Sequence, residues 1–143
     1  MSNAPVRVRV VQTYTSDPAT VFEALGEHEN LGPVLGAKIT RLSDGDTTRN
    51  GVGSSREVKV GPLPPLVETT TVAEPNSRIE YMITKGGFPL KNHHGVQVLT
   101  PTDDGGTRLE YTIAFDTVMP GAAGLVAKQL TSAIRKGLPR LVP

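Results

Sequence analysis

An α+β fold is what this 143-residue sequence predicts: one curved, seven-stranded antiparallel sheet wrapped around a long C-terminal helix. Three observations point to it. From Ala37 the apolar residues alternate with period two for about eighty residues, the pattern of strands with one buried face. The segments between those runs are rich in Gly, Pro, Asn and Asp and too short for parallel crossovers, so neighbouring strands run antiparallel. Last comes one stretch, Pro120 to about Leu141, with a different period. There Ala123, Val126, Ala127, Leu130, Ala133, Ile134, Leu138 and Leu141 recur at three- and four-residue steps, gathering on one face of a helix.

Each element has a local reason. Val6, Val8 and Val10 alternate with Arg7 and Arg9, a half-buried strand running on to Tyr14. Asp17 is placed to cap a helix, Pro18 suits its first position, Val21, Phe22 and Leu25 form its apolar face, and Gly26 stops it. The segment 30–36 is too interrupted by Gly and Pro for more than one short helical turn. Strands follow at 37–43, 53–60, 66–74, 77–84, 92–100 and 106–117, separated by turn-forming residues such as Asn50-Gly51, Pro75-Asn76 and Gly86-Gly87. Pro120 fits the first turn of the final helix, and Lys128, Arg135 and Lys136 fall on its polar face. A helix of that length would run about 30 Å. Its apolar stripe holds Ala, Val and Leu and no aromatic residue, so it is thin. A thin helix over a sheet leaves space beneath it, and function is expected in that space.

Composition bounds the rest. The length predicts one domain over residues 1–143, with no visible repeat or linker. A formal charge of +1, with no stretch concentrating Lys and Arg, argues against a nucleic-acid partner. Zero cysteines exclude disulfides and Cys-based nucleophiles, and they fit a reducing compartment, so a cytoplasmic location is expected. Met1–Val10 places Arg7 and Arg9 among alternating valines and does not read as a signal peptide. No apolar run reaches the ~20 residues of a membrane span, so no integral membrane segment is expected. No cofactor or metal is expected either. Gly51-x-Gly53 precedes a strand rather than a helix, no Gly-x-Ser-x-Gly elbow occurs, and His93 and His94 are adjacent on a strand and cannot chelate jointly.

The alternation also assigns faces. One self-consistent set toward the helix is Arg56, Val58 and Val60; Glu68, Thr70 and Val72; Ile79, Tyr81 and Ile83; His94, Val96 and Val98; and Leu109, Tyr111, Ile113 and Phe115. Its polar members, Arg56, Glu68, Tyr81, His94 and Tyr111, are the candidate ligand contacts, with Leu130 opposite them on the helix. Arg56 and Glu68 would lie diagonally on neighbouring strands, either anchoring a ligand's polar group or forming an ion pair within the sheet. Tyr81 and Tyr111 are either hydrogen-bonding partners or core residues with a polar tip. His94 and Glu68 are the candidate catalytic residues, because either can act as acid or base. Adjacent strand residues point to opposite faces, so only one of His93 and His94 reaches the interior.

Several of these stretches match one family in order. Ser16-Asp17-Pro18-Ala19-Thr20-Val21-Phe22-Glu23-Ala24-Leu25, Gly51-Val52-Gly53-Ser54-Ser55-Arg56, the Glu68 to Tyr81 spacing, and Gly106-Thr107-Arg108-Leu109-Glu110-Tyr111 resemble motifs of the START-like superfamily. The resemblance is to its polyketide cyclase/dehydrase and lipid-transport branch, with the helix-grip fold, over about residues 6–141. The chain departs from that pattern where Leu31 replaces a frequent Trp and His93 a frequent Tyr. The resemblance implies a deep pocket between sheet and final helix, used by relatives for sterols, lipids, hormones, polyketides and quinones. It also matches the Gly61–Pro65 and Gly86–Leu90 loops to entrance loops, which puts Leu63, Phe88 and Leu90 at a mouth. The expected function is binding, or transport, of a hydrophobic small molecule such as a lipid or polyketide. A polyketide cyclase/dehydrase enzyme is the alternative, and a protein-docking patch at Leu63, Phe88 and Leu90 the third reading. The sequence leaves the oligomeric state open.

Overall fold

The computed structural model describes residues 4–143. Met1, Ser2 and Asn3 of the Met1–Val10 stretch discussed above lie outside the described residues. The order of elements is β1 (Val6–Tyr14), α1 (Pro18–Gly26), a 3₁₀ turn at His28–Asn30, α2 (Leu31–Leu35), and then six strands. These are β2 (Lys38–Ser43), β3 (Ser55–Lys59), β4 (Leu66–Glu74), β5 (Arg78–Lys85), β6 (Leu90–Pro101) and β7 (Thr107–Thr117). Helix α3 (Ala122–Gly137) and a 3₁₀ turn at Leu138–Arg140 close the chain. All seven strands form one antiparallel sheet in the order β1-β7-β6-β5-β4-β3-β2. Each hairpin lays a strand beside its predecessor, and β1 closes the other edge against β7. This is the α+β helix-grip architecture that the alternation and the final helix predict.

Local chemistry accounts for the boundaries. The Asp17 carboxylate accepts the Thr20 N–H at 2.9 Å, and Pro18 opens α1 where a missing N–H costs nothing. The final helix is shorter than its periodicity. Regular α-helix starts after Gly121, not at Pro120, and ends at Gly137, about 24 Å long rather than 30 Å. Pro139 lacks the N–H that the next α-helical turn would need, so Leu138–Arg140 tightens into a 3₁₀ turn. That turn still directs Leu138 into the core, which is why the apolar period runs on past the helix end.

The sealed core lies at one end. Val8, Val10 and Tyr14 of β1, Leu109, Tyr111, Ile113 and Phe115 of β7, Val21 and Leu25 of α1, and Leu31 and Val34 of α2 pack around Ile134 and Leu138. The Tyr14 hydroxyl donates to the Leu138 carbonyl at 2.7 Å, fixing the end of α3 to β1. At Gly137 the helix backbone meets α2 so closely that a Cβ there would overlap Val34 and come within 2.7 Å of the Pro33 carbonyl. Toward its N-terminus α3 is less covered, and Ala123, Val126, Ala127 and Leu130 are only half-buried.

Two face assignments require correction. On β6 the inward residues are His93, Gly95, Gln97 and Leu99, not His94, Val96 and Val98. The cause is Tyr81, whose ring lies where a Cβ on Gly95 would sit, so the interior takes a glycine and the valines take the other face. On β4 a bulge between Thr70 and Val72 aligns Val72 with Glu80 and Ala73 with Ile79, which turns Val72 away from the interior.

Candidate functional site

A cavity of about 390 Å³ opens between residues 126–133 of α3 and the inner face of β3, β4, β5, β6 and β7. Such a volume falls in the usual range for small-molecule sites, roughly 300–1,000 Å³. Val58, Leu66, Ile83, Leu90 and Ile113 supply apolar wall from the sheet, Leu35 supplies it from α2, and Val126, Leu130 and Ala133 form the roof. No aromatic side chain descends from the roof, and Ala133 adds only a methyl, so the space stays unfilled. Val60 and Leu63 from the β3–β4 loop, with Phe88 and Pro89 from the β5–β6 loop, rim it, and Phe88 is 67% exposed. Polar groups are few: Glu68, Tyr81, His93 and Gln129.

Behind that wall stands a bonded polar array. Arg56 and Glu68 are directly opposed on β3 and β4 rather than diagonal, only 3% and 6% exposed. Arg56 Nε and Nη2 both reach Glu68 Oε1, at 2.9 Å and 2.8 Å. Burial is the largest single influence on the Arg56 pKa and lowers it, but the Glu68 carboxylate together with Tyr81 and Tyr111 outweighs it, and the guanidinium is held above its ordinary value. The same guanidinium lies 4.8 Å over the Tyr81 ring, within cation–π range. The Tyr81 hydroxyl meets that of Tyr111, and the two rings stand edge to face. Burial raises the Tyr111 pKa to about 12 and drives that of Tyr81 well above 10, so both hydroxyls stay neutral.

The sequence-predicted residues therefore separate into three groups. Glu68, Tyr81, Phe88 and Leu130 line the cavity. Arg56 and Tyr111 support it from behind, each through a residue that does line it. His94 is on the opposite face of the sheet, where its Nε2 meets Glu80 Oε1 at 2.7 Å. Its place is taken by His93, 6% exposed, whose Nδ1 accepts the Ile83 N–H at 3.2 Å. Gly95 was missed as a functional position, although an isolated glycine within a strand marks a close approach, here of Tyr81.

One further polar residue lies off the cavity. His28 is 1% exposed and neither ring nitrogen has a hydrogen-bond partner among the described residues. Burial, with Arg56 and Arg41 nearby, lowers its pKa to about 3. Arg41, aligned with Arg56 across β2 and β3, bonds Asn50 and reaches Glu27 at 3.5 Å, tying the sheet edge to the segment that carries His28.

Comparison with solved structures returns the same architecture. A protein of Thermus thermophilus superposes with a TM-score of 0.72 at 20% identity, covering 96% of this chain and 94% of that one. A START superfamily protein from Mycobacterium smegmatis gives 0.73 at 13% identity over 94% and 92%. A solution structure from Thermobifida fusca gives 0.67 at 20% identity over 94% and 93%. At such identities the likeness shows the fold alone. Comparison with curated proteins finds no match. A family model described as polyketide cyclase / dehydrase and lipid transport matches residues 5–143, nearly the full length of the helix-grip fold around the cavity. The chain belongs to that family.

Proposed function

We propose that this protein binds a hydrophobic small molecule, of the size of a lipid fragment or an aromatic polyketide, in the cavity beneath residues 126–133 of α3. The observation that carries the reading is the split in that helix. Its C-terminal end, at Ile134 and Gly137, is sealed against α2 and β1, while Val126, Leu130 and Ala133 roof about 390 Å³ of mostly apolar space. Apolar area without a protein partner gains roughly 25 cal/mol per Å² when a guest covers it. Glu68, Tyr81 and His93 supply the few polar points that orient such a guest.

Binding is favoured over turnover by the state of the two candidate catalytic groups. His94 is turned away from the cavity toward Glu80, and the Glu68 oxygen nearest Arg56 already takes both of its contacts. The exposed Leu63 and Phe88 serve as the rim of the mouth, since both also line the space inside. Native mass spectrometry of protein purified from its own host, with a thermal-shift panel of lipids and aromatic polyketides, tests the proposal. The expected result is a co-purifying mass or a panel member that raises the melting temperature. A ligand-free protein that no panel member stabilises overturns it.

A further inference from the structure

We infer that His93 is a hydrogen-bond donor of fixed tautomer, whose Nε2–H selects apolar guests bearing an acceptor oxygen such as a ketone or quinone-type carbonyl. The inference rests on the ligand-pocket reading above and deepens it, because it names the chemistry the occupant must carry. Ile83 N–H donates to His93 Nδ1 at 3.2 Å. A backbone N–H cannot accept, so Nδ1 is unprotonated and the single proton of the neutral ring resides on Nε2. The bond exists because Ile83, paired with Glu68 of β4, has no partner on its β6 side. Pairing of β5 with β6 ends at Tyr81 and Gly95, and β6 is irregular against β7 between Lys91 and His94, with Asn92 at φ 54°. The imidazole fills the gap that the ladder leaves, and it thereby becomes locked.

The ring also stays neutral. Protonating Nδ1 would set two donors against each other. Burial holds its pKa below the ordinary histidine value, Arg56 and His94 add to that, and Glu68 opposes them. The Tyr81 ring packs at 5.5 Å and limits rotation. Nε2 has no partner among the described residues, and unlike both nitrogens of His28 it is not sealed from open space. The open space that His93 borders is the cavity, whose lining is mostly apolar, Ile83, Leu90 and Ile113 among it, with Glu68 and Tyr81 as the polar groups on the same side. A donor in apolar surroundings penalises a guest that covers it without accepting its proton. This is a discriminating contact rather than a base, because the nitrogen it presents already carries the proton.

Two measurements test the inference. In ¹⁵N-histidine-labelled protein at pH 7, the NMR shifts of His93 are expected to show an unprotonated Nδ1 and a protonated Nε2; the opposite tautomer or a charged ring overturns it. Isothermal titration then compares fluorenone with fluorene, which share a shape and differ in the carbonyl. The wild type is expected to prefer fluorenone about tenfold, the scale of one hydrogen bond in a dry site, and His93→Phe to bind both alike. A preference that survives in His93→Phe, or wild-type protein that binds both equally, overturns the inference alone. Wild-type protein that binds neither overturns the pocket reading itself. The NMR and wild-type titrations need no variant, so they decide the matter even where His93→Phe does not fold.

Discussion

Two stretches of α3 differ more than their common periodicity suggests. Around Ile134 and Gly137 the helix touches α2 backbone to backbone and is tied to β1 through Tyr14 and Leu138. Around Val126, Leu130 and Ala133 it faces β3 to β7 across open space, and the same kind of apolar stripe is half-exposed. What differs is the surface opposite. The anchored end packs with Val8, Val10 and Val34, whereas the roofing stretch faces a cavity whose far wall is backed by Arg56, Glu68 and Tyr81, side chains that bond to one another. An amphipathic stripe therefore says which side of a helix is dry, not whether protein fills the space there.

Substitutions can break or sharpen this contrast. The largest effect is expected on the sheet beneath the roof. Arg56→Ala should cost about 3–5 kcal/mol in chemical denaturation, because it leaves the Glu68 carboxylate buried and unpaired, and the double change Arg56→Met with Glu68→Leu should recover most of it. A full loss in the double variant would mean that the pair's geometry, not its charge balance, holds the sheet. Next comes the direct comparison within α3. Ile134→Ala should cost about 2–5 kcal/mol and Leu130→Ala, one turn earlier, under about half of that, measured by thermal denaturation. Equal costs would erase the distinction between anchor and roof.

Gly95→Ala follows, at about 1–3 kcal/mol, since the added methyl must push the Tyr81 ring off its seat and disturb its hydroxyl contact with Tyr111. Its signature in NMR spectra should be shifted Tyr81 and Tyr111 resonances with those of β1 unchanged. The last effect is one of slope, a pH dependence at the sheet edge that is nearly silent at neutral pH. The folded state holds His28 near a pKa of about 3 against an ordinary 6.5, so the unfolded chain takes up a proton that the folded chain refuses. Stability is therefore lost as pH falls from 6.5 toward 3. His28→Gln should make that slope shallower by up to about 1.4 kcal/mol per pH unit, as read from urea titrations at stepped pH.

Much of this arrangement was legible in the sequence. Period-two alternation located the strands, turn residues fixed their antiparallel order, and Asp17-Pro18 placed the start of α1, because these are local effects of backbone geometry. Arg56, Glu68, Tyr81 and Tyr111 stood out as polar residues on an otherwise apolar face, and the structure brings them together. The parity of β6 was not legible. Val96 and Val98 looked like core, but the interior of that strand had to accept Tyr81 from β5, a contact between strands that no periodicity within β6 records. The choice between His93 and His94 failed for the same reason. The early end of α3 was written in Pro139, yet Leu138 and Leu141 kept the apolar rhythm going beyond it.

The central claim is that the space beneath α3 is a binding site, and filling it from within tests that claim most directly. Ala133 lines the roof next to the anchored end of α3, so Ala133→Phe should place a ring in the cavity while the anchor at Gly137 stays intact. The measurement is fluorescence titration of an anilinonaphthalene sulfonate probe against the wild type and this variant, with melting temperatures recorded for both. Saturable one-to-one binding by the wild type, abolished in a variant that melts no lower, is the predicted result. Equal binding by the two proteins would contradict the account.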